Sequence, residues 1–515
     1  MNRDSGTASD RLDEVYRLRI DAARKSRAIP VAPAMSNGDE SRYKTRIASF
    51  TKGLPHDATG LVQPEAYRRL LRAVQTGAAA DFEAIPVAST HMPLVNPQGG
   101  LCLGMAGLDA SQFQIPPAPA FDSAERAAEH AECHWMYLVR DVPFADYAGH
   151  PDVAAACEEL SRLPGYTGPK HSGRVSAANI FRGGTTGDRV GPYVSQFLLQ
   201  PIRLGALPIS HQIWTYLPVN QGGHDYLTDF DSWLSIQNGE MPMEVIRRDP
   251  LPRYIRSGRD LCAYVHMDFT YQAFFNASVW LANRQARVNP GSPYPPRRNQ
   301  TGFATYGIPD AQSMLAMAHL CALRAVWFQK WIVHRTLRPE EFGGRVHFAL
   351  TRQADDGIHA DLLNSQALAR SFERTRGYFL PQAFPEGCPQ HPSYAQGHAT
   401  CAGACATVLK AFFDGSTRIM ELGDVYEAAR DGRTLVPYRD AQAGMLTVAG
   451  ELDKLAGNIA IGRNFAGIHW RSDYLQGLLL GEAVALALIR EARRAYPEPF
   501  SNLRIRKMDG DEIAI

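Results

Sequence analysis

Apolar residues recur every three to four positions along several long stretches of the chain, the spacing that lines one face of an α-helix. Residues 123–140, 260–285, 309–335, 399–413, 441–460 and 473–495 carry this pattern, and each predicts a helix. Proline- and glycine-rich connections separate them, notably 288–307 and 379–394. Strand-like alternation is scarce, and only 345–350 predicts local pairing. Residues 1–45 are polar, charged and contain proline, the pattern of a tail or of an arm that wraps a partner subunit. The chain turns globular around Phe50-Thr-Lys-Gly-Leu-Pro-His56, and no internal repeat is evident. The expectation is a mainly α fold, a helix bundle with long loops and minor short strands, forming a single domain over residues 46–515.

A chain of 515 residues with 45% hydrophobic content can bury a large core. Its 54 Lys and Arg against 53 Asp and Glu leave no excess charge to draw it to nucleic acid or an acidic membrane. No uninterrupted apolar run reaches the ~18 residues of a membrane span. The richest stretch, 474–489, is broken by Gln476 and Glu482. The first residues lack the apolar segment of a secretory signal, which favours a cytoplasmic location. The eight cysteines contain no Cys-x-x-Cys pair, and Cys401 and Cys405, one helical turn apart, read as small apolar core groups.

Three distant segments concentrate the chemistry: Lys330-Trp-Ile-Val-His334-Arg-Thr-Leu-Arg338-Pro339, His391-Pro-Ser-Tyr-Ala-Gln396-Gly397-His398, and Arg463-Asn-Phe-Ala-Gly-Ile-His469-Trp-Arg-Ser-Asp473. They offer one lysine and two arginines whose charge and fork geometry suit a phosphate-like oxyanion. They add His398 and His469, able to ligate a metal or move protons near neutral pH. Lys330 falls near the end of a predicted helix, and Arg338, preceding proline, is pushed out of helical conformation. Gly397 and His398 precede a helix, whose free N–H groups would face an anion. Residues 463–469 read as a loop into the last helix. Asp473, four residues after His469, reads equally as an orienting partner for a nearby side chain or as the cap of that helix. His130, Cys133 and His134 lie on an amphipathic helix without a fourth ligand and read as packing. Gly100 to Gly107 follows no strand, so it is no dinucleotide fingerprint.

On these segments the chain resembles the vanadium-dependent haloperoxidases, in the branch of algal bromoperoxidases and their bacterial relatives. That family shares a helical fold and anion pocket with a superfamily of acid phosphatases. Arg338 follows Lys330 by eight positions, as in the algal branch, and the context of His391-Pro-Ser-Tyr is also similar to it. Phe50 to His56, Gly191-Pro-Tyr-Val-Ser-Gln-Phe197 and Tyr216-Leu-Pro-Val219 resemble the same branch. The resemblance implies vanadate as cofactor and His469 as the axial ligand of vanadium. It implies Lys330, Arg338, Gln396, Gly397, His398 and Arg463 around the vanadate oxygens. It further implies His398 as acid–base, Lys330 as the group polarising hydrogen peroxide, and Trp327 and His391 lining the halide side. A plain core role for Trp327 and His391 stays equally open. The implied activity is oxidation of a halide, bromide favoured, by hydrogen peroxide to a hypohalous species that halogenates small organic molecules. A homodimer or larger homo-oligomer is implied as well. One position departs from the family: Gln396 stands where its members carry serine. This keeps two other readings open. One is a phosphatase-like or non-halogenating vanadate enzyme, with His469 as nucleophile and His398 as leaving-group acid. The other is a non-catalytic oxyanion-binding protein.

Overall fold

The computed structural model describes residues 7–31, 33–352, 354–498 and 502–515. Within the polar N-terminal stretch, residues 1–6 and 32 lie outside the described residues. The first helix, α1 (Ala8–Arg27), starts at Thr7, whose side chain accepts from Asp10 N while the Asp10 carboxylate takes up the Thr7 N–H. No residue of α1 is buried, and Leu12, Val15 and Tyr16 lie on its open surface. The helices that matter for the site follow in order: α2 (Pro64–Thr76), α3 (Ala124–Val139), α4 (Gly258–Met267), α5 (Gln272–Asn283), α6 (Ile308–Phe328), α7 (Pro339–Thr351), α8 (Gly397–Phe412), α9 (Val448–Phe465) and α10 (Arg471–Ala492). Strands among the described residues are three short antiparallel hairpins, at Ile202–Leu204 with Leu207–Ile209, Tyr426–Ala428 with Leu435–Pro437, and Arg504–Arg506 with Glu512–Ala514. The fold is mainly helical, as expected.

Five local expectations change. Residues 345–350 lie inside α7 rather than in a strand. Pro339 opens that helix, and the Glu341 side chain accepts from Arg338 N at 2.6 Å, so helix nucleation overrides the local alternation. The helix expected over 260–285 is two, α4 and α5, because Asp268 takes an extended conformation (φ −72°, ψ 152°). The helix expected over 441–460 begins only after Thr447, whose hydroxyl caps it through Gly450 N. It then runs to Phe465, so Arg463 stands in the last turn of α9 and not in a loop. The helix expected to end at Arg335 gives way after Phe328 to a π-helical turn, Gln329–His334, that carries Lys330.

Glycines allow α8 and α10 to cross closely. A methyl on Gly403 would lie 2.1 Å from Leu478 O, and one on Gly481 would lie 1.9 Å from Thr400 O. Gly477 faces Gln396 O and the Ala399 side chain in the same way. The two N-termini are thereby held side by side, joined by a hydrogen bond from Gln396 N to Asp473 O at 3.0 Å. The segment Arg471–Ala495 is long and apolar enough to cross a membrane by length and composition, and 72% of its most apolar window is buried inside the protein.

A second anchor holds the loop that carries His391. Lys52, fully buried, bonds Glu340 at the start of α7 (2.8 Å) and the carbonyls of Glu386 (2.9 Å) and Cys388 (2.7 Å). A buried pair of this kind fixes one chain arrangement, because losing either charge strands the other.

The crossing yields a test. Gly481→Ala is expected to lower the unfolding free energy by about 3 kcal/mol, the upper range for over-packing against unyielding backbone. The checking measurement is the midpoint of denaturant unfolding, and an unchanged midpoint would refute the interlock.

Candidate active site

The three segments converge. The π turn after α6 points the Lys330 ammonium at the 391–393 backbone, where it donates to Pro392 O (2.7 Å) and Ser393 O (2.5 Å). These engage two of its three N–H donors. Arg338, extended before Pro339, is the most heavily anchored cation. Its Nε donates to His391 O (2.9 Å), its Nη1 to Ile468 O (3.1 Å) and His469 Nε2 (2.9 Å), and its Nη2 to His391 Nδ1 (3.0 Å). Arg463 reaches in from the end of α9, with Nη1 donating to Val265 O at 2.9 Å. Its Nε is buried with no hydrogen-bond partner.

His469 is oriented from behind. Its Nδ1–H donates to Asp473 Oδ2 at 2.7 Å, which leaves the Nε2 lone pair facing Arg338. Asp473 also accepts from Trp470 N at 3.3 Å in the first turn of α10 and from the Ser393 hydroxyl. Asp473 therefore orients the imidazole but is not the cap of α10: the cap is Trp470, and Asp473, at the third helical position, bonds back to its N–H. The Ser393 hydroxyl joins this pair, a role the sequence did not reveal.

On the opposite side His398, at the second position of α8, meets Asp268 with Nε2 to Oδ1 at 3.0 Å. The His398 side chain is 19% exposed and Asp268 only 2%. Asp268 was missed because the apolar periodicity runs straight through it into α5. Trp327 and His391 pack with ring centroids 4.8 Å apart and planes tilted by 40°, and the position of a Gly397 Cβ would lie 3.6 Å from the Trp327 ring. These three form one wall.

Gln396 requires a correction. Its side chain does not offer the amide to the cationic centre: Nε2 donates to Ala460 O on α9 at 2.9 Å, and Oε1 has no partner. The amide is long enough to reach the neighbouring helix, so the buried donor is satisfied there. The discounted cluster on α3 is packing as expected. His134 Nδ1 pairs with Ser371 at 2.8 Å, Cys133 lies against His469 O, and among the described residues no group of three or more His, Cys, Asp or Glu is placed to hold a metal ion.

The electrostatics are one-sided. Lys330, Arg338 and Arg463 are buried together with Asp473 as the carboxylate in their midst. Burial pushes the Lys330 ammonium well below its ordinary value, and Arg338 adds to the fall. Burial and then Arg338 likewise hold His469 and His391 well below the usual imidazole range, so both are neutral. A neutral His469 presents a lone pair suited to a metal. The centre thus combines surplus buried positive charge, an unpartnered Arg463 Nε, and the first N–H groups of α8, whose cap residue supplies no side-chain bond. Those features fit a compact oxyanion whose central atom accepts His469 Nε2, and vanadate is such a group.

Known proteins carry the same arrangement of chain. A family model described as the VCPO second helical-bundle domain matches residues 311–497. The vanadium-dependent bromoperoxidase of Corallina officinalis is 32% identical, over 97% of this chain and 98% of its own length. That of Ascophyllum nodosum is 33% identical, over 98% of this chain and 93% of its own. The homohexameric structure of the second vanadate-dependent bromoperoxidase of Ascophyllum nodosum superposes with a TM-score of 0.93 at 30% identity, covering 100% of this chain and 92% of that one. Identity at this level over essentially the whole length, on one shared fold, means that the chain belongs to the vanadium-dependent bromoperoxidase family.

Proposed function

We propose that this protein uses vanadate to oxidise a halide, bromide favoured, with hydrogen peroxide, and that the hypohalous product halogenates a small organic molecule. The observation that carries the reading is the convergence of Lys330, Arg338 and Arg463 around a neutral His469, whose Nε2 lone pair faces the centre and accepts only the Arg338 N–H. His469 would hold the vanadium, with Asp473 fixing its tautomer. The three cations and the N–H groups of Gly397 and His398 would hold the oxygens. Bound vanadate supplies Lewis-acid activation of peroxide toward the halide.

The protein's own groups supply charge and proton movement. His398, steadied by Asp268 and partly open to solvent, stands where it can take a proton from an entering peroxide and pass one onward. Lys330 offers its remaining N–H to the developing negative charge. Trp327 and His391 give the halide side an aromatic wall. The homohexameric relative and the open apolar face of α1 support a homo-oligomer.

Apoprotein loaded with vanadate is expected to brominate a phenol-red-type acceptor in the presence of peroxide and bromide, and absence of vanadate-dependent turnover overturns the reading. His469→Ala abolishes vanadate binding measured by calorimetry. His398→Ala lowers kcat by about 10²–10⁴-fold with vanadate affinity kept, and Asp268→Asn by about 10–100-fold. Steady-state kinetics at saturating vanadate check both. Gln396→Ser frees a hydroxyl at the start of α8 and is expected to raise bromide oxidation about three- to tenfold, the worth of one hydrogen bond. Equal rates in the two proteins would make position 396 a packing position alone.

A further inference from the structure

Of the three cations, Arg463 is held least. Lys330 has two carbonyl partners and Arg338 bonds carbonyls and imidazoles through every nitrogen, whereas Arg463 has Val265 O for Nη1 and nothing for Nε. What lies beneath it is aromatic. The Arg463 guanidinium carbon sits 5.8 Å from the centre of the Phe384 ring. Phe384 is in turn stacked on His266, with centroids 3.7 Å apart and planes 12° from parallel. The neutral sequence Tyr216-Leu-Pro-Val219, unused by the chemistry above, supplies the next layer. The Tyr216 hydroxyl meets His266 Nδ1 at 2.5 Å and Glu386 Oε1 meets His266 Nε2 at 2.5 Å.

Both ring nitrogens of His266 are thereby engaged, Nδ1 with the Tyr216 hydroxyl and Nε2 with the Glu386 carboxylate. Burial alone would raise the Glu386 carboxyl, but its hydrogen bond to His266 reverses this and holds it below the ordinary glutamate value. Lys52 fixes the same residue through its carbonyl, and Arg248 lies over the Tyr216 ring, 5.8 Å from its centre. His266 itself is in the last turn of α4, one residue beyond the carbonyl that Arg463 uses and two before Asp268. The end of α4 thus reaches the candidate site by three routes: a carbonyl, a carboxylate on His398, and a stacked ring.

We propose that His266 is a positioning residue for Arg463. Clamped between Tyr216 and Glu386, its ring supports Phe384 as a floor under the guanidinium and so sets the affinity of the cationic centre for vanadate. This rests on the functional reading above. It assigns His266 no contact with substrate and no proton transfer.

The test measures vanadate binding to apoprotein by calorimetry, with kcat at saturating vanadate alongside. His266→Ala removes the ring and is expected to weaken binding about tenfold, in the range typical for groups that orient a ligating shell. Its kcat at saturation stays within about twofold, because Asp268 and His398 are untouched. His266→Phe keeps a flat ring on Phe384 and is expected to recover most of the lost affinity. Glu386→Gln, a milder change that keeps a hydrogen-bonding partner, is expected to weaken binding about threefold and serves if the alanine variant unfolds. Equal affinity in wild type, His266→Ala and Glu386→Gln would overturn the inference. So would a His266→Phe protein as weak as the alanine variant. Wild-type protein that binds no vanadate at all would instead overturn the functional reading, so the two failures are distinct.

Discussion

Burying three positive groups around one point is the constraint from which this architecture follows. Removing a charge from water is costly unless fixed dipoles replace the water. The chain provides them mainly from its backbone: carbonyls of His391, Pro392, Ser393, Ile468 and Val265 surround Lys330, Arg338 and Arg463. Carbonyls can serve this way where a helix ends, as at Val265 in the last turn of α4, or where the backbone is irregular, as in the loop around 391–393 beside a π turn and a proline-opened helix. Partial compensation is what makes the place a receptor for an anion rather than a closed structural ion pair.

Precision at that point is borrowed from the core. The glycine-lined crossing of α8 and α10 brings two helix starts together, and with them His398, Gly397 and Asp473. Lys52 and Glu340 tie the His391 loop to α7 from the other side. The site is assembled where tightly packed helices end, so that the loops carrying His391 and His469 are held at both edges.

The parts of this centre that a reader of the sequence can recover are those with rigid spacing. Lys330 and Arg338 are separated by a helix end and a proline, and Arg463 and His469 by one tight turn, so their order survives as a linear pattern. Gly397 and His398 are legible because a helix start has a local signature. Asp268 is not, since it ends α4 inside an apolar periodicity that continues into α5, and its role depends on a residue 130 positions away. Ser393 and Lys52 are equally silent, because a hydroxyl or an ammonium takes its meaning from partners that only the fold supplies. Gln396 shows the limit in the other direction. Its position was recognised, yet the length of its side chain let it turn to Ala460, and no spacing rule encodes that choice.

The depressed basicity of Lys330 has a thermodynamic corollary. An arriving anion restores the preference of that ammonium for its proton, so occupancy and proton uptake are linked and each promotes the other. Loss of the proton from Lys330 therefore also loosens the anion, and its uptake tightens the hold. The lysine thus acts as a counterweight: the emptier the centre, the less charge it is obliged to keep out of water.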